Sequence, residues 1–526
     1  MIGTMKQISI FNHVLGPVMR GPSSSHTAGA FHIASQVRSM LGGTPVRVVC
    51  AFDPEGSYAQ TYAQQGADRA FAMGLLGRPL TEPAFFEALE LAPGAGLDLR
   101  FEVRTIPGAD HPNMVDIQAT GPDGFELDLI ARSIGGGDFE IAGLRGWPVL
   151  FNGCAYDLTV ETDPGGLDGI LEGILRRGAL LAAPAVQQRA GATLLVASRS
   201  EGGGELLAWL RRLPQVRWAV EAAPVYFIQT GTMLFQSAGA MVELAEARQL
   251  SLGELAIQFE TLLLGLALGQ AEAEMLRRYD FMEEAVQRGL DPGFEGMQLL
   301  QPSAGKVFQA EARGRLSLGG PHLRAAARAM AVMHVNGAMG VVCAAPTGGA
   351  AGTLPGTLVT LAEEHGLDRP AIARAMFAAG AIGIIVAQRA TFAAEVAGCQ
   401  VEIGAAGAMA AAAVVEAMGG NAAQACHAAA VAFQNTMGSV CDPVQGMVEI
   451  PCHTRNAMAA ANAFLCADLV LGGYTNPVPL DETIDAVYQV GRMLPSELRC
   501  TAKGGLALAP SALAIEARSP CLRCRP

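Results

Sequence analysis

The stretch from Cys399 to Cys452 joins apolar, Ala-rich segments to a loop that cannot be helical. Proline lacks the N–H donor and fixes its own φ, so a helix cannot continue through the loop that runs from Cys441 to Cys452 and contains Pro443 and Pro451. The apolar segments before and after the loop predict buried helices. Together the two patterns predict a rigid loop that presents thiols away from bulk water, which is typical of a site for a soft metal.

The composition favours helices that pack through small side chains. The chain has 526 residues, of which 51% are apolar but only 6% aromatic, so Ala, Leu, Val, Met and Gly must fill the core. The length predicts about two or three domains. The apolar runs 375–387 and 404–415 are shorter than the roughly 18 to 20 residues of a membrane span, and charged residues bracket them. We expect buried helices of a soluble protein, with no membrane partner.

Charge and cysteine content limit the partners and the compartment. A net charge of −13 argues against nucleic acid as the main partner. The first residues, MIGTMKQISIFNHV, contain no long apolar run and do not fit a secretory signal. The chain has 11 cysteines, which without an export signal are typical of reduced thiols in a cytosol. We therefore expect a cytoplasmic protein.

The order of patterns along the chain predicts an α+β fold with three domains and a tail. Residues 1–145 mix helix and strand signals, with PVRVVCAF and LRFEVRTI typical of strands. Residues 146–230 show strands alternating with two helices, close to the split βαβ arrangement. Residues 231–510 are almost wholly helical, and residues 511–526 form the tail.

Two turns before helices are candidate anion sites. In GPSSSHT, a Ser/Thr cluster precedes an amphipathic helix, so it either caps that helix or also binds a carboxylate or phosphate. The glycine-rich turn from Thr347 to Gly349 offers a second set of N–H donors. Further along, Ser251 and Glu254 predict a capping box at a helix start.

Five collinear motifs resemble the iron–sulfur-dependent L-serine dehydratases. They are GPSSSHTAGA, SIGGGDFEI, AAPTGGAAGTLPG, GCQVEIGAAGAMAAA and CDPVQGMVEIPCHTRNAM. The resemblance covers nearly the whole chain and implies three fused parts: a β-type serine dehydratase domain (1–145), an ACT-like module (146–230) and an all-helical α-type catalytic domain (231–510). It also implies a 4Fe–4S cluster, held at the positions of Cys399, Cys441 and Cys452.

The resemblance implies a lyase that converts L-serine to pyruvate and ammonia. Three thiolates leave one iron of the cluster open, and this iron acts as a Lewis acid on the β-hydroxyl, with no redox change. The loops around it would bind the substrate. The candidate substrate-binding residues are Ser23, Ser24, Ser25, Thr27, Asn113, Thr347, Gly348, Gly349, Arg455 and Asn456, and Arg455 could equally support the cluster.

The chain departs from the family where a general base is expected. The family usually carries a histidine in GHGTD, but this position is Gln65, and an amide cannot take a proton at neutral pH. The cluster loop also differs, with Gln445 in place of the usual glycine and His453-Thr454 in place of the usual hydrophobic residue and Glu. Either another residue is the base or the substrate is a different β-substituted amino or hydroxy acid. The candidate bases are His26, His111, His453 and Lys306.

Several questions stay open at this level. The tail ends in ARSPCLRCRP, and Cys521 or Cys524 could cap the open iron. The ACT-like module either binds an effector or only dimerises, and we expect a homodimer. A non-catalytic, amino-acid-responsive cluster protein is a third alternative to serine dehydration and to elimination on another substrate.

Overall fold

The chain folds as a mixed α+β protein, with strands and helices in its first half and mostly helices in its second. A computed structural model describes residues 7–518. The strands form three sheets, of six, four and two strands. In chain order they are β1 (Val18–Arg20), β2 (Arg47–Phe52), β3 (Asp98–Val103), β4 (Met114–Thr120), β5 (Glu126–Gly135), β6 (Asp138–Leu144), β7 (Trp147–Phe151), β8 (Tyr156–Thr162), β9 (Ala185–Arg189), β10 (Ala192–Arg199), β11 (Val216–Ala222) and β12 (Val341–Cys343).

Helices make up most of the chain after β11. The helices are α1 (Gly29–Met40), α2 (Ser57–Thr61), α3 (Ala67–Leu76), α4 (Ala88–Gly94), α5 (Leu167–Arg177), α6 (Gly204–Leu210), α7 (Ala238–Arg248), α8 (Leu252–Leu264), α9 (Leu268–Leu290), α10 (Ala304–Ala312), α11 (Pro321–Gly337), α12 (Thr353–His365), α13 (Arg369–Arg389), α14 (Ala394–Ala397), α15 (Ile403–Ala417), α16 (Ala422–Thr436), α17 (Cys452–Leu471), α18 (Leu480–Met493) and α19 (Pro510–Leu513). The predicted capping box is confirmed, because Ser251 and Glu254 bond reciprocally at the start of α8.

The six-stranded sheet extends past the domain boundary that the sequence predicts at residue 145. Its strand order is β3-β2-β4-β5-β6-β7, with β2 and β3 parallel and the other pairs antiparallel. Strand β7 pairs with β6 through a two-residue hairpin, whose central residues Arg145 and Gly146 have φ of 48° and 73°. Such left-handed turns match the twist of paired strands, so the segment from Trp147 continues the first sheet.

The four-stranded sheet belongs to a βαββαβ module. The elements follow in the order β8, α5, β9, β10, α6, β11, and the sheet order is β11-β8-β10-β9. This is the split βαβ arrangement that the strand and helix pattern predicts. One face of the sheet packs on α5 and α6 through a separate apolar cluster that includes Leu158, Ile170 and Leu206.

Two helices are long and apolar enough to cross a membrane, judged by length and composition in residues 7–518. They are Arg369–Arg389 and Cys399–Ala417, and the bent pair α8 and α9 passes the same test together. The apolar runs themselves are shorter than a membrane span, but the helices that contain them are long enough. The expectation from run length is therefore wrong for these helices; α13, for example, begins before the charged Arg374. Within the protein, 78% and 89% of their apolar windows are buried, as expected of core helices.

The start of the chain packs into the helical part. Strand β1 pairs antiparallel with β12, and the turn Ile10–Val14 lies on α13. The contact is close because α13 has glycines there. A Cβ added to Gly380 would lie 2.6 Å from Ile10 Cγ2, and one added to Gly383 would overlap Val14. Glycine at these two positions thus lets the two segments touch.

This close approach yields a stability prediction. Gly383→Ala should lower the free energy of unfolding by about 1–3 kcal/mol, because the added methyl group overpacks the contact with Val14. Gly269→Ala is the matched control, since a Cβ there meets open space at a helical position, and alanine favours helix over glycine by about 0.5–1 kcal/mol. Thermal unfolding of the two variants measures the difference. Equal midpoints would contradict the proposed contact.

Candidate functional site

The three predicted thiols lie in the interior, and two of them stand where helical elements begin. Cys399 begins a short 3-10 turn just before α15, and Cys452 is the first residue of α17. Cys441 lies between them on a segment that pairs with residue 499. Their exposed fractions are 1%, 7% and 4%, so all three are buried. The prolines at 443 and 451 stop any helix across the loop, as the sequence predicts.

Two of these thiols meet a carboxylate. The Cys399 and Cys441 sulfurs and a Glu402 oxygen lie within 4.8 Å of one another. A hydrogen bond with Cys441, together with burial, raises the pKa of the Cys399 thiol well above its ordinary value. Burial, and next the neighbouring Cys399, raises the pKa of Cys452 well above its ordinary value. A metal bound here would therefore displace thiol protons.

This donor set fits an iron–sulfur cluster. Such clusters are held by soft thiolates, and a site of buried thiols from separate elements supplies them without bulk water. Arg455 adds a positive charge beside them. Its Nη1 donates to Val440 O at 2.7 Å and lies 3.7 Å from Cys399 Sγ, and its Nη2 pairs with Asp442 at 2.9 Å. These contacts favour the supporting role for Arg455 over direct binding of a substrate.

Glu402 lies between the thiols and the glycine-rich turn. Thr347 Oγ1 donates to the Glu402 carboxylate at 2.7 Å. A Cβ at Gly349 would come within 2.9 Å of the same carboxylate, so a larger residue there would displace Glu402 from its present position. Burial, and second the charge of Glu395, raises the pKa of Glu402 to about 7.

The serine-rich turn reaches the same place from the first part of the chain. Ser24 Oγ accepts a hydrogen bond from Gly348 N at 3.2 Å. His26 is fully buried, with Nδ1 3.2 Å from Ser23 Oγ and Nε2 3.1 Å from Ser57 Oγ. Burial lowers the pKa of His26, although Glu395 at 3.8 Å raises it in part. Two hydroxyl groups thus hold the His26 ring, and burial favours its neutral form.

A second carboxylate links Asn113 to this group. Asn113 Nδ2 donates to Glu395 at 3.3 Å, and the buried Asn113 Oδ1 has no hydrogen-bond partner within residues 7–518. His111 Nδ1 accepts from Asn113 N at 3.1 Å. Burial lowers the pKa of His111, with Glu395 raising it in part. Asn113 and His111 therefore lie on the Glu395 side of the site.

Other predicted residues have structural partners. Asn456 Oδ1 accepts from Thr353, and its Nδ2 donates to the carbonyls of Gly349 and Cys452, so it ties three segments together. Thr27 Oγ1 donates to Gln65 O at 2.8 Å. The carbonyl of Ser25 accepts from Tyr58 and Ser133.

Two of the candidate bases lie elsewhere. Lys306 lines a separate cavity of about 400 Å³ with Gln301 and Arg518. His453 follows Cys452, but its Nδ1 faces that of His334 at 3.2 Å. Burial, and second His334, lowers the pKa of His453 well below its ordinary value. Cys521 and Cys524 lie outside the described residues.

The sequence alone missed three residues that lie at the site. In the sequence, Glu395 and Glu402 are notable only as charged residues next to an apolar run. Glu402 carries one usable signal, because it stands three residues after Cys399 in an otherwise apolar segment. Cys500 packs against the buried apolar cluster that contains Cys399 and Cys441, and nothing in its own neighbourhood, ELRCTAKGG, indicates this.

Gln65 and Gln445 are two of the departures from the family pattern, and both lie at the cysteine loop, Gln65 in contact with it and Gln445 within it. Gln65 Nε2 donates to Gly446 O at 2.9 Å, so the amide lies at the loop. Gln445 has a φ of 53°, a left-handed conformation that suits the glycine usual there. Its Nε2 donates to Ile515 O at 2.6 Å, which ties the loop to the chain's last described segment.

Comparison with known proteins identifies the family of the chain. A family profile described as "Serine dehydratase alpha chain" matches residues 177–507. The chain is 40% identical over 284 residues to "Probable L-serine dehydratase, alpha chain" of Bacillus subtilis, which covers 54% of this chain and 94% of that protein. It is 40% identical over 210 residues to "L-serine dehydratase, alpha chain" of Peptoniphilus asaccharolyticus (40% of this chain, 72% of that protein).

A third relative belongs to Escherichia coli. "L-serine dehydratase TdcG" is 33% identical over 283 residues, or 52% of this chain and 62% of that protein. The matched segment of the family profile contains the cysteine loop and the turn at Thr347. On the profile match and the coverage of its relatives, the chain belongs to the serine dehydratase alpha chain family.

Proposed function

We propose that this chain is an L-serine ammonia-lyase that holds a 4Fe–4S cluster through Cys399, Cys441 and Cys452. The observation that carries the proposal is the buried group of Cys399, Glu402 and Cys441, whose donor atoms lie within 4.8 Å of one another. Family membership supports the reaction, because the relatives are named L-serine dehydratases. Bound there, the cluster supplies a Lewis acid for the β-hydroxyl of serine.

The residues around the thiols suit a small amino acid. The serine-rich turn and the glycine-rich turn meet where Ser24 binds Gly348, and we assign this junction to the substrate carboxylate. The substrate's ammonium group would face Glu395 and the unpaired carbonyl oxygen of Asn113, which supply an anion and an acceptor. Enclosure by buried residues excludes water and strengthens these interactions.

We assign removal of the α-proton to Glu402. Its carboxylate lies beside the thiols, and the Thr347 hydroxyl fixes its orientation. Gln65 cannot accept a proton, and both ring nitrogens of His26 already face hydroxyl groups. Loss of the α-proton and of the β-hydroxyl as water leaves an enamine, which tautomerises and hydrolyses to pyruvate and ammonia.

A different substrate is the second candidate. Gln65 stands where the family usually has histidine, and its amide binds the cysteine loop at Gly446. A changed group at this position can alter which β-substituent fits, so elimination on another β-substituted amino or hydroxy acid is the alternative. Product release from the cluster-loaded protein, measured with L-serine, threonine, cysteine and related hydroxy acids, separates the two candidates.

The βαββαβ module and the assembly complete the proposal. Small modules of this arrangement bind amino acids or mediate dimerisation, and we assign one of these roles to β8–β11 with α5 and α6. We infer a cytoplasmic homodimer, since a reduced compartment keeps the thiols available for the cluster.

Anaerobic reconstitution tests the reaction and the ligands together. Protein loaded with iron and sulfide should release pyruvate and ammonia in equal amounts from L-serine. Cys399→Ser, Cys441→Ser and Cys452→Ser should each lose bound iron and abolish turnover, because the cluster needs thiolate ligands. Cys426→Ser is the control, as Cys426 is buried in an apolar part of the core away from the loop. A loaded protein with no product from any tested substrate would contradict the proposal.

The role of Glu402 is tested separately. Glu402→Gln should lower kcat by about 10²–10⁴-fold, the usual contribution of a general base, with iron and sulfide contents unchanged. Glu416→Gln is a matched control near the other end of α15, where the carboxylate binds Ser251 instead. Lys306→Met should also leave kcat unchanged. A normal kcat for Glu402→Gln, or a large loss with Lys306→Met, would overturn the assignment.

A further inference from the structure

An open cleft of about 490 Å³ lies where the first part of the chain meets helix α9. The turn Ile10–Val14 and β1 form one wall, α9 forms the second, and the segment 225–227 after β11 forms the third. None of the described residues that line the cleft is assigned to the thiol site. Its volume is within the range of sites that hold small molecules.

Two arginines of α9 give the cleft a positive charge. Arg278 is 5% exposed, and its Nη1 donates to the carbonyls of Phe11 and Leu15. Arg278 Nε and the Arg277 guanidinium bond to Glu274, the one carboxylate among the described lining residues. Arg278 Nη2 has no hydrogen bond within the described part of the chain. Because two positive charges face one negative charge, the cleft favours an anion such as a carboxylate.

Aromatic rings form much of the surface of the cleft. Four of its thirteen lining residues are Phe or Tyr, although only 6% of the chain is aromatic. They are Phe11, Tyr226, Phe227 and Phe281. The ring centroids of Phe11 and Phe227 are 5.8 Å apart, and the guanidinium carbon of Arg277 lies 5.6 Å from the Phe281 centroid. Such walls suit a flat, apolar ring better than a small polar molecule such as serine.

His32 supplies a hydrogen-bond acceptor at the cleft. It is buried, and its Nδ1 lies 2.9 Å from Gly137 O. The Tyr226 hydroxyl donates to the same carbonyl at 2.8 Å. A carbonyl can only accept, so Nδ1 carries the proton and Nε2 of the neutral ring keeps a lone pair. Burial lowers the pKa of His32, which favours this neutral form.

The lone pair on His32 Nε2 is left for a ligand. Nε2 has no hydrogen bond among the residues that the structure describes, although His32 lines the cleft. A ligand with an O–H or N–H group satisfies this acceptor, and a ligand without one leaves it unpaired.

From these groups we propose that the cleft binds a small aromatic carboxylate that carries a hydroxyl or N–H group on its ring. The carboxylate binds Arg278 Nη2 and Arg277, the ring packs among the four aromatic side chains, and the ring's donor bonds to His32 Nε2. Inorganic phosphate would use the arginines but not the rings. The site is separate from the thiols, so it does not depend on the cluster or on the proposed function.

A matched set of ligands tests each part of this assignment. Calorimetric titration of the full-length, cluster-free protein should show binding of 4-hydroxyphenylacetate, which should also raise the thermal midpoint by a few degrees. Phenylacetate, which lacks the ring hydroxyl, should bind about 3–10-fold more weakly, and 4-hydroxyphenylacetamide, which lacks the charge, at least about tenfold more weakly. No binding of 4-hydroxyphenylacetate, or equally tight binding of the amide or of inorganic phosphate, would overturn the proposal.

Two variants of α9 locate the bound acid. Arg277→Gln should weaken binding at least about tenfold and Phe281→Leu about threefold or more. Arg277 is exposed and Phe281 half-buried, so both substitutions leave the buried side of α9 intact. Phe308→Leu is the matched control, because that ring lies 5.0 Å from the guanidinium carbon of Arg328 and does not line the cleft.

The comparison of these variants decides between the cleft and other sites. Wild-type affinity in both cleft variants, or an equal loss in Phe308→Leu, would overturn the proposal. Displacement of 4-hydroxyphenylacetate by L-serine would also overturn it, because the acid would then occupy the substrate site. Cluster-loaded protein should bind the acid with the same affinity as cluster-free protein, since the cleft and the thiols have no residue in common.

Discussion

Burial of helix α15 on all sides is the constraint on which the site depends. Fourteen of the fifteen residues from Ile403 to Ala417 are buried, and the helix packs against α12, α13, α16 and α17. Small side chains allow this: a Cβ on Gly407 would already lie 3.6 Å from Ala459. The turn with Cys399 and the Glu402 carboxylate precede α15, while Cys452 begins α17. Their spacing is therefore set by helix packing, which resists distortion.

The site is assembled from both parts of the chain. The helical part supplies the thiols, Glu402 and the glycine-rich turn, all within the segment that matches the alpha chain family. The first part supplies the serine-rich turn and Asn113, which meet Gly348 and Glu395. Pairing of β1 with β12 fixes this junction. In one polypeptide the two halves stay together at any concentration, since the contact is intramolecular.

Features of the fold and the site that depend on residues close in sequence could be predicted, whereas features that depend on distant residues could not. The capping box at Ser251 and the βαββαβ order arise from local patterns, and both were predictable. The pairing of β7 was not, because the left-handed hairpin at Arg145 carries only one glycine. The cysteine loop is readable from its prolines and flanking apolar runs. The approach of Cys500 and the paired carboxylates comes from contacts between distant segments, which single-sequence patterns do not encode.

The central claim is that thiols from three segments hold one cluster with an iron that reaches the substrate. Mössbauer spectroscopy of protein reconstituted with ⁵⁷Fe, before and after addition of L-serine, tests it most directly. The account predicts four irons, of which one changes its isomer shift and quadrupole splitting when serine binds while the other three stay constant. Four irons that are all indifferent to serine, or iron that does not form a cluster, would contradict it.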